Sequence, residues 1–231
     1  MRREAERRQR LERLRSFDRD FDPPAWAAGR LAGVDEAGVG PLAGPVVAAA
    51  VVLPPDFDLP ELFDSKQMTA PGRHRCEIEI RARALAVAVA RVGARRIDHL
   101  NIARAMAEAH RRALEGLPFV PAAVLLDGNR APRLPIGWEG VRLQTVVQAD
   151  ARSLAVAAAS VVAKETRDRI MRRLDRRYPD YGFAIHKGYS TRSHMDALRR
   201  LGPSPVHRRR FCTWLEAEAE AARQGVLPFA P

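Results

Sequence analysis

The sequence predicts an α/β domain with a helical C-terminal part. Short Val, Ala and Leu runs alternate with longer segments whose apolar residues recur at helical spacing. A glycine-rich turn joins the first two runs, and acids stand where several runs end. With 231 residues, 46% of them hydrophobic and 29% charged, the chain can build one large core, at about 1.5 times the usual domain length.

The elements follow in order. Residues 1–27 are rich in Arg and Glu and end in Asp22-Pro23-Pro24, which reads as a solvated helix or a disordered arm, with an accessory nucleic-acid arm as the functional alternative. Leu31 to Val34 is a short strand. Pro45 to Leu53, closed by Pro54-Pro55, is a second, and the pair makes a hairpin. Arg73 to Ala84 reads as a helix, the Ala/Val run to Val92 as a strand, and Ile97 to Leu117 as a helix stopped by Gly116-Leu117-Pro118. Ala122 to Leu126 and Val141 to Val147 are strands, running into Asp127-Gly128-Asn129 and toward Asp150. Arg152 to about Tyr178 is a long helix, followed by a Tyr/Gly/His/Lys loop, a helix over Arg192 to Leu201, the basic run His207 to Arg210 and a last helix to about Arg223. The expected division is thus an arm (1–27), a domain (28–223) and a tail (224–231).

Composition narrows the function. The longest apolar run, Pro45 to Leu53, is far short of the roughly 18 residues of a membrane span. The first twenty residues alternate Arg with Glu and lack an apolar stretch, so no secretory signal is expected and a cytoplasmic protein is. Cys76 and Cys212 have no C-x-x-C spacing, which argues against a disulfide framework or zinc knuckle. A formal charge of +11 points to a polyanionic partner, nucleic acid first. Of the 39 basic residues only Lys66, Lys164 and Lys187 are lysines, and Asn101 and Asn129 are the only asparagines. In a chain so biased toward Arg, these five mark positions where a point charge or an amide is needed.

Asp35-Glu36, Asp127 and Asp150 each stand where an apolar strand ends. Carboxyl ends of strands in an α/β sheet form the usual ligand crevice, so these acids can converge there. Converging carboxylates repel unless cations sit between them, and hard oxygen donors select Mg²⁺ or Mn²⁺. In a basic protein this predicts two-metal phosphodiester hydrolysis. Each acid alone could equally be a cap or turn former. Neighbouring strand residues face opposite ways, so either the strand breaks at Asp35-Glu36, as Ala37-Gly38 would permit, or one of the two contributes its main-chain carbonyl. Gly38-Val39-Gly40-Pro41-Leu42-Ala43, with Asp58 beyond, also matches a dinucleotide-binding fingerprint. The context is wrong for it, because Pro45 to Leu53 reads as strand where that motif needs a helix.

The string Gly33-Val34-Asp35-Glu36-Ala37-Gly38-Val39-Gly40-Pro41-Leu42-Ala43-Gly44-Pro45-Val46 closely resembles the opening motif of type 2 ribonucleases H, the bacterial ribonuclease HII family in particular. In order, Asp64-Ser65-Lys66, Ile97-Asp98 with Asn101-Ile102, Asp127-Gly128-Asn129, and Asp150 with Ala158-Ala159-Ser160, Ala163-Lys164 and Thr166-Arg167-Asp168 are similar to its further motifs. His186-Lys187-Gly188-Tyr189 and His207-Arg208-Arg209 with Phe211 complete the set, over about Arg30 to Phe211.

The resemblance implies a ribonuclease H-like fold, a mixed central sheet flanked by helices, with Asp35, Glu36, Asp127 and Asp150 as catalytic, metal-binding acids for two divalent ions. It implies cleavage of RNA in RNA–DNA hybrids and at single ribonucleotides in duplex DNA, leaving 3′-hydroxyl and 5′-phosphate ends, by a monomer. Nucleic-acid contacts are expected from Gly38, Val39, Gly40, Ser65, Lys66, Asn129, Ser160, Lys164, Lys187, Tyr189 and Arg208. Ser65 and Lys66 suit phosphate, Ser160 and Lys164 share a helix face at i, i+4, and Tyr189 can stack on a sugar or base.

Two positions depart from the family's pattern. Val39 stands between glycines where arginine is usual, and Gln148-Ala149-Asp150 where Lys-Gly-Asp is common. A methyl at Ala149 disfavours positive φ. These motivate one alternative, a catalytically weakened hybrid-binding protein; another ribonuclease H-like nuclease, of resolvase or transposase type, is a separate one. In the tail, Gln224-Gly225-Val226-Leu227-Pro228-Phe229 resembles the peptide by which bacterial replication and repair proteins dock on the sliding clamp.

Overall fold

The computed structural model describes residues 1–63 and 65–224. Asp64 of the Asp64-Ser65-Lys66 motif, and all of the clamp-like tail after Gln224, lie outside the described residues. Helices α1 (Arg2–Phe21) and α2 (Pro23–Ala27) precede the hairpin of β1 (Leu31–Ala37) and β2 (Val46–Val52). Then come α3 (Ala70–Arg83), β3 (Ala86–Val92), α4 (Ala94–Leu100), α5 (Ile102–Glu115), β4 (Ala123–Asp127) and β5 (Arg142–Val146). The C-terminal part holds α6 (Leu154–Arg177), α7 (Phe183–His186), α8 (Arg192–Leu201) and α9 (Trp214–Arg223). The sheet order is β3-β2-β1-β4-β5, with β1, β4 and β5 mutually parallel and β2 antiparallel to both neighbours. This is the expected mixed sheet between helical layers. Among the described residues, no helix is long and apolar enough to cross a membrane.

The two faces of β1 explain the layers. Ala32 and Val34 pack with Ala105, Ala109 and Ala113 of α5, small residues that let the helix lie close. Gly33 faces α6, and a Cβ there would sit 2.1 Å from the carbonyl carbon of Ala155. No side chain fits at this position of the strand.

Three expectations change. The predicted helix from Ile97 to Leu117 is two helices, because Asn101 has φ 70° and caps α5, its Oδ1 accepting the Arg104 N–H at 3.1 Å. The capping bond accounts for one of the two asparagines without invoking substrate. The N-terminal segment is a helix, as one reading had it, but not a free one: Leu11 and Leu14 are buried against Leu154, Ala157 and Val161 of α6. Asp18 on the same face accepts the Ala155 N–H at 2.9 Å and so satisfies a donor at the start of α6. The third is the helix expected from Arg73, which begins at Ala70 because Thr69 accepts the Gly72 N–H and Pro71 fits the first turn.

Candidate active site

β1 and β4 run in parallel register with Val34 opposite Leu126. One step further, Asp35 stands beside Asp127 at the carboxyl ends of two central strands. Asp35 is buried, bonded to Ser160 of α6 and to the Glu36 N–H at 2.7 Å. Burial first, then the charges of Glu36 and Asp127, raise its pKa well above the ordinary carboxylate value. Asp127 is raised by burial, with Asp150 and Glu36 adding repulsion, while the Ala149 N–H opposes the shift. Asp150 lies on a single 3-10 turn, Ala149–Ala151, between β5 and α6, and its Oδ2 meets Lys66 Nζ at 3.0 Å. The acids expected from the sequence therefore do converge, and Asp35 and Asp127 feel their neighbours' charges.

The strand does not break at Asp35-Glu36. Glu36 stays paired with Ala48 and Ala37 with Val47, so the two side chains take opposite faces. The Glu36 carboxylate lies on the α5 side, where Nε2 of buried His110 is 2.8 Å from Oε2. The main-chain alternative for one of the pair is the one this geometry leaves open.

The second departure also reads differently in three dimensions. Positive φ falls on Gln148 (57°), not on Ala149. Ala149 is helical, its methyl is buried with Val146 and Val156, and its N–H donates to Asp127 Oδ1 at 2.7 Å.

The expected nucleic-acid contacts divide into exposed and enclosed. Val39, Gly40, Lys66, Asn129 and Tyr189 are exposed. Ser65 and Ser160 are buried and bond each other at 2.8 Å, so their hydroxyls form a chain to Asp35 rather than a surface. Arg208 is fully buried, contrary to a direct phosphate contact. It donates to the carbonyls of Gly38 (2.5 Å), Val39 (2.7 Å) and Gly44 (3.1 Å) and shapes the loop from inside. Arg167 does the same from α6, donating to Ala43, Pro45 and Lys187 carbonyls, and a Cβ on Gly38 (φ 92°) would strike its Nε at 2.0 Å. Lys164 Nζ bonds Asp168 at 2.8 Å, and the Lys187 amine, its pKa lowered by burial, bonds the Ala184 carbonyl.

A separate cluster of His74, Glu77 and Glu165 has donor atoms within 4.8 Å of one another. It is compensated already, by Arg81 and Arg169 on Glu77 and by Arg73 on Glu165. Among the described residues, Asp150 meets Lys66, while Asp35 and Asp127 are raised by the charges of their neighbouring acids, which is the arrangement that oxygen-loving divalent ions relieve. The donor set fits such ions.

The family model for Ribonuclease HII matches residues 32–214. The chain belongs to the ribonuclease HII family. It is 50% identical to a Ribonuclease HII of Syntrophotalea carbinolica over 182 residues, 79% of this chain and 85% of that one. The fold is similar to the ribonuclease H2 of Pyrococcus horikoshii (TM-score 0.69, 26% identity, 82% of this chain and 98% of that one). It is similar also to an RNase HII solved in complex with PCNA from Archaeoglobus fulgidus (TM-score 0.64, 25% identity, 79% and 94%). Membership makes the protein a type 2 ribonuclease H, a divalent-metal-dependent hydrolase of the RNA–DNA hybrid class.

Sequence reasoning missed His110, which lies outside every motif, and the structural use of Arg167 and Arg208. It also missed a cluster of three buried histidines. Gly188 N–H donates to His186 Nδ1 (3.1 Å), and His186 Nε2 meets the Tyr181 carbonyl (2.6 Å). Ser204 N–H donates to His207 Nδ1 (2.9 Å), His207 and His194 join through their Nε2 atoms (3.0 Å), and His194 Nδ1 meets the Tyr189 carbonyl (2.9 Å). Each ring is thereby fixed as one neutral tautomer. The visible signal was the two motif histidines, His186 and His207; His194 lies outside the motifs, and the three have no metal-ligand spacing.

Proposed function

We propose that the protein cleaves the RNA strand of RNA–DNA hybrids and incises duplex DNA at embedded ribonucleotides, leaving 3′-hydroxyl and 5′-phosphate ends. The observation that carries this is the convergence of Asp35, Asp127 and Asp150, with Glu36, at one end of the sheet. These acids would hold two divalent ions, Mg²⁺ or Mn²⁺, with Glu36 able to contribute its main-chain carbonyl. When bound, such ions supply the positive charge that activates water and stabilises the departing oxygen.

The chain's own groups do the rest. Ser160, through its bond to Asp35, and the Ala149 N–H, through its bond to Asp127, hold two carboxylates still. Lys66, exposed and bonded to Asp150, is placed to turn to a phosphate. Arg167 and Arg208 fix the loop bearing Gly38, Val39 and Gly40, while Tyr189 presents an exposed ring 5.6 Å from the Arg167 guanidinium carbon. The loop carbonyls, tied from behind, leave Gly40 with nothing within 4 Å of where a Cβ would stand, room for a sugar-phosphate backbone. The alternative of a weakened hybrid-binding protein loses one of its two motives, since Ala149 makes its contact through the main chain.

The protein is proposed to act as a cytoplasmic monomer, with Gln224-Gly225-Val226-Leu227-Pro228-Phe229 docking on a sliding clamp. The Archaeoglobus fulgidus complex with PCNA supports looking for such a contact. A Leu227→Ala/Phe229→Ala double mutant should lose binding to a bacterial clamp, and equal binding by both proteins removes that role. The catalytic proposal is tested with a duplex holding one ribonucleotide beside an all-DNA duplex. Divalent-dependent incision of the first alone, with ends ligatable as 5′-phosphate, is expected; no incision, or equal incision of both, refutes it.

A further inference from the structure

His110 stands on the buried, apolar face of α5. Ala105, Ala109 and Ala113 press α5 onto the sheet, and His110, in the same helix, is 1% exposed. A polar ring in such a place is costly unless bonded. Its bond is to the acid cluster: Nε2 lies 2.8 Å from Glu36 Oε2. An ionised carboxylate accepts only, so the ring donates its Nε2–H.

The consequence reaches past the pair. Glu36 is the acid whose charge bears on both Asp35 and Asp127. Its strand position turns its side chain to the α5 face, away from Ser160 and α6, and His110 is the group that receives it there. We infer that His110 is a positioning residue of the active site, anchoring Glu36 Oε2 on the α5 side and thereby setting the affinity of the acid cluster for divalent ions. The inference rests on the metal-binding reading of the four acids. Groups that orient metal-ligating carboxylates from behind commonly change metal affinity by 10–100-fold when removed.

The test is Mn²⁺ binding to the protein without substrate, followed by the electron paramagnetic resonance signal of free Mn²⁺. His110→Met keeps bulk and removes the donor; His110→Gln keeps a donor. About a tenfold weaker affinity is expected for His110→Met and about threefold or less for His110→Gln. In a Glu36→Gln background the His110→Met effect should largely vanish, because the anchored carboxylate is gone. Unchanged affinity in His110→Met, or a loss that persists in full without the Glu36 carboxylate, overturns the inference. Asp127→Asn is the control: if it leaves Mn²⁺ binding unchanged, the site reading itself has failed. On the unaltered protein, nitrogen-15 spectra of His110 should show a proton on Nε2 and a shift on adding Mg²⁺; an Nδ1–H ring indifferent to Mg²⁺ also contradicts the inference.

Discussion

The backbone N–H of Ala149 donates to Oδ1 of Asp127 at 2.7 Å, joining the turn after β5 to the end of β4. The bond belongs to the main chain, and the residue is helical, so the alanine costs the site nothing that glycine would restore. Ala149→Gly should therefore leave the cleavage rate within about twofold. It should lower stability by about 0.5–1 kcal/mol, through unfolded-state entropy and the loss of a buried methyl. Steady-state rates with a denaturant melt check both; a rate gain of tenfold or more would show that the methyl does obstruct the turn.

Val39 is 37% exposed while its carbonyl is held by Arg208, so the side chain and not the loop's shape is free to vary. Val39→Arg should tighten binding to a ribonucleotide-containing duplex and steepen the salt dependence by about one phosphate contact. Equal slopes for the two proteins across a salt series would place this side chain away from the backbone.

The three-histidine cluster predicts acid sensitivity. Burial, with the neighbouring histidines, lowers His194 and takes His207 from 6.5 to about 4, and burial lowers His186. A histidine held neutral in the fold and free to protonate when unfolded contributes stability above pH 6.5 that is lost as pH falls toward 4, on the order of 1–3 kcal/mol. Because these rings bond the Tyr181 and Tyr189 carbonyls, His207→Asn should melt at a lower temperature at pH 7.5 yet lose less on acidification than the parent. Parallel melting curves across pH 4 to 7 would remove the cluster as the source.

Asp18 predicts the opposite trend. Burial raises its carboxyl from 3.8 to about 7, against hydrogen bonds from Ser153, Ala155 and Leu154. A raised acid costs stability as pH climbs from 3.8 through 7, by up to roughly 4 kcal/mol. Asp18→Asn, which retains an acceptor for the Ala155 N–H, should gain on the parent between pH 4 and pH 8 in thermal melts. A gap between the two proteins that stays constant with pH would mean the carboxyl is not so enclosed.

The sheet was legible because Leu31 to Val34, Val46–Val52 and Ala123 to Leu126 are continuous apolar runs ended by acids or turn residues, a pattern that buried strands in a mixed sheet impose. The acids were legible for the same reason, since the end of a strand is a fixed place in space. What stayed hidden depends on three-dimensional neighbours. Nothing in a basic run distinguishes Arg208, wholly buried against loop carbonyls, from Arg209 and Arg210, which are exposed. Helical spacing cannot show that Asn101 interrupts a helix when residues on both sides keep the period. His110 sits among alanines at core spacing, and only the register of β1 brings Glu36 to it.

Asp127→Asn keeps the shape, and its amide oxygen can still accept the Ala149 N–H, but it removes one of the charges that would hold an ion. The decisive measurement is single-turnover cleavage of a duplex containing one ribonucleotide by this variant in saturating Mn²⁺, with substrate binding and folding measured on the same preparation. The proposed mechanism predicts near-parental duplex binding and a rate reduced by at least about 10³-fold, several kcal/mol of lost transition-state stabilisation. A folded, binding-competent Asp127→Asn protein that cleaves at the parental rate would contradict it.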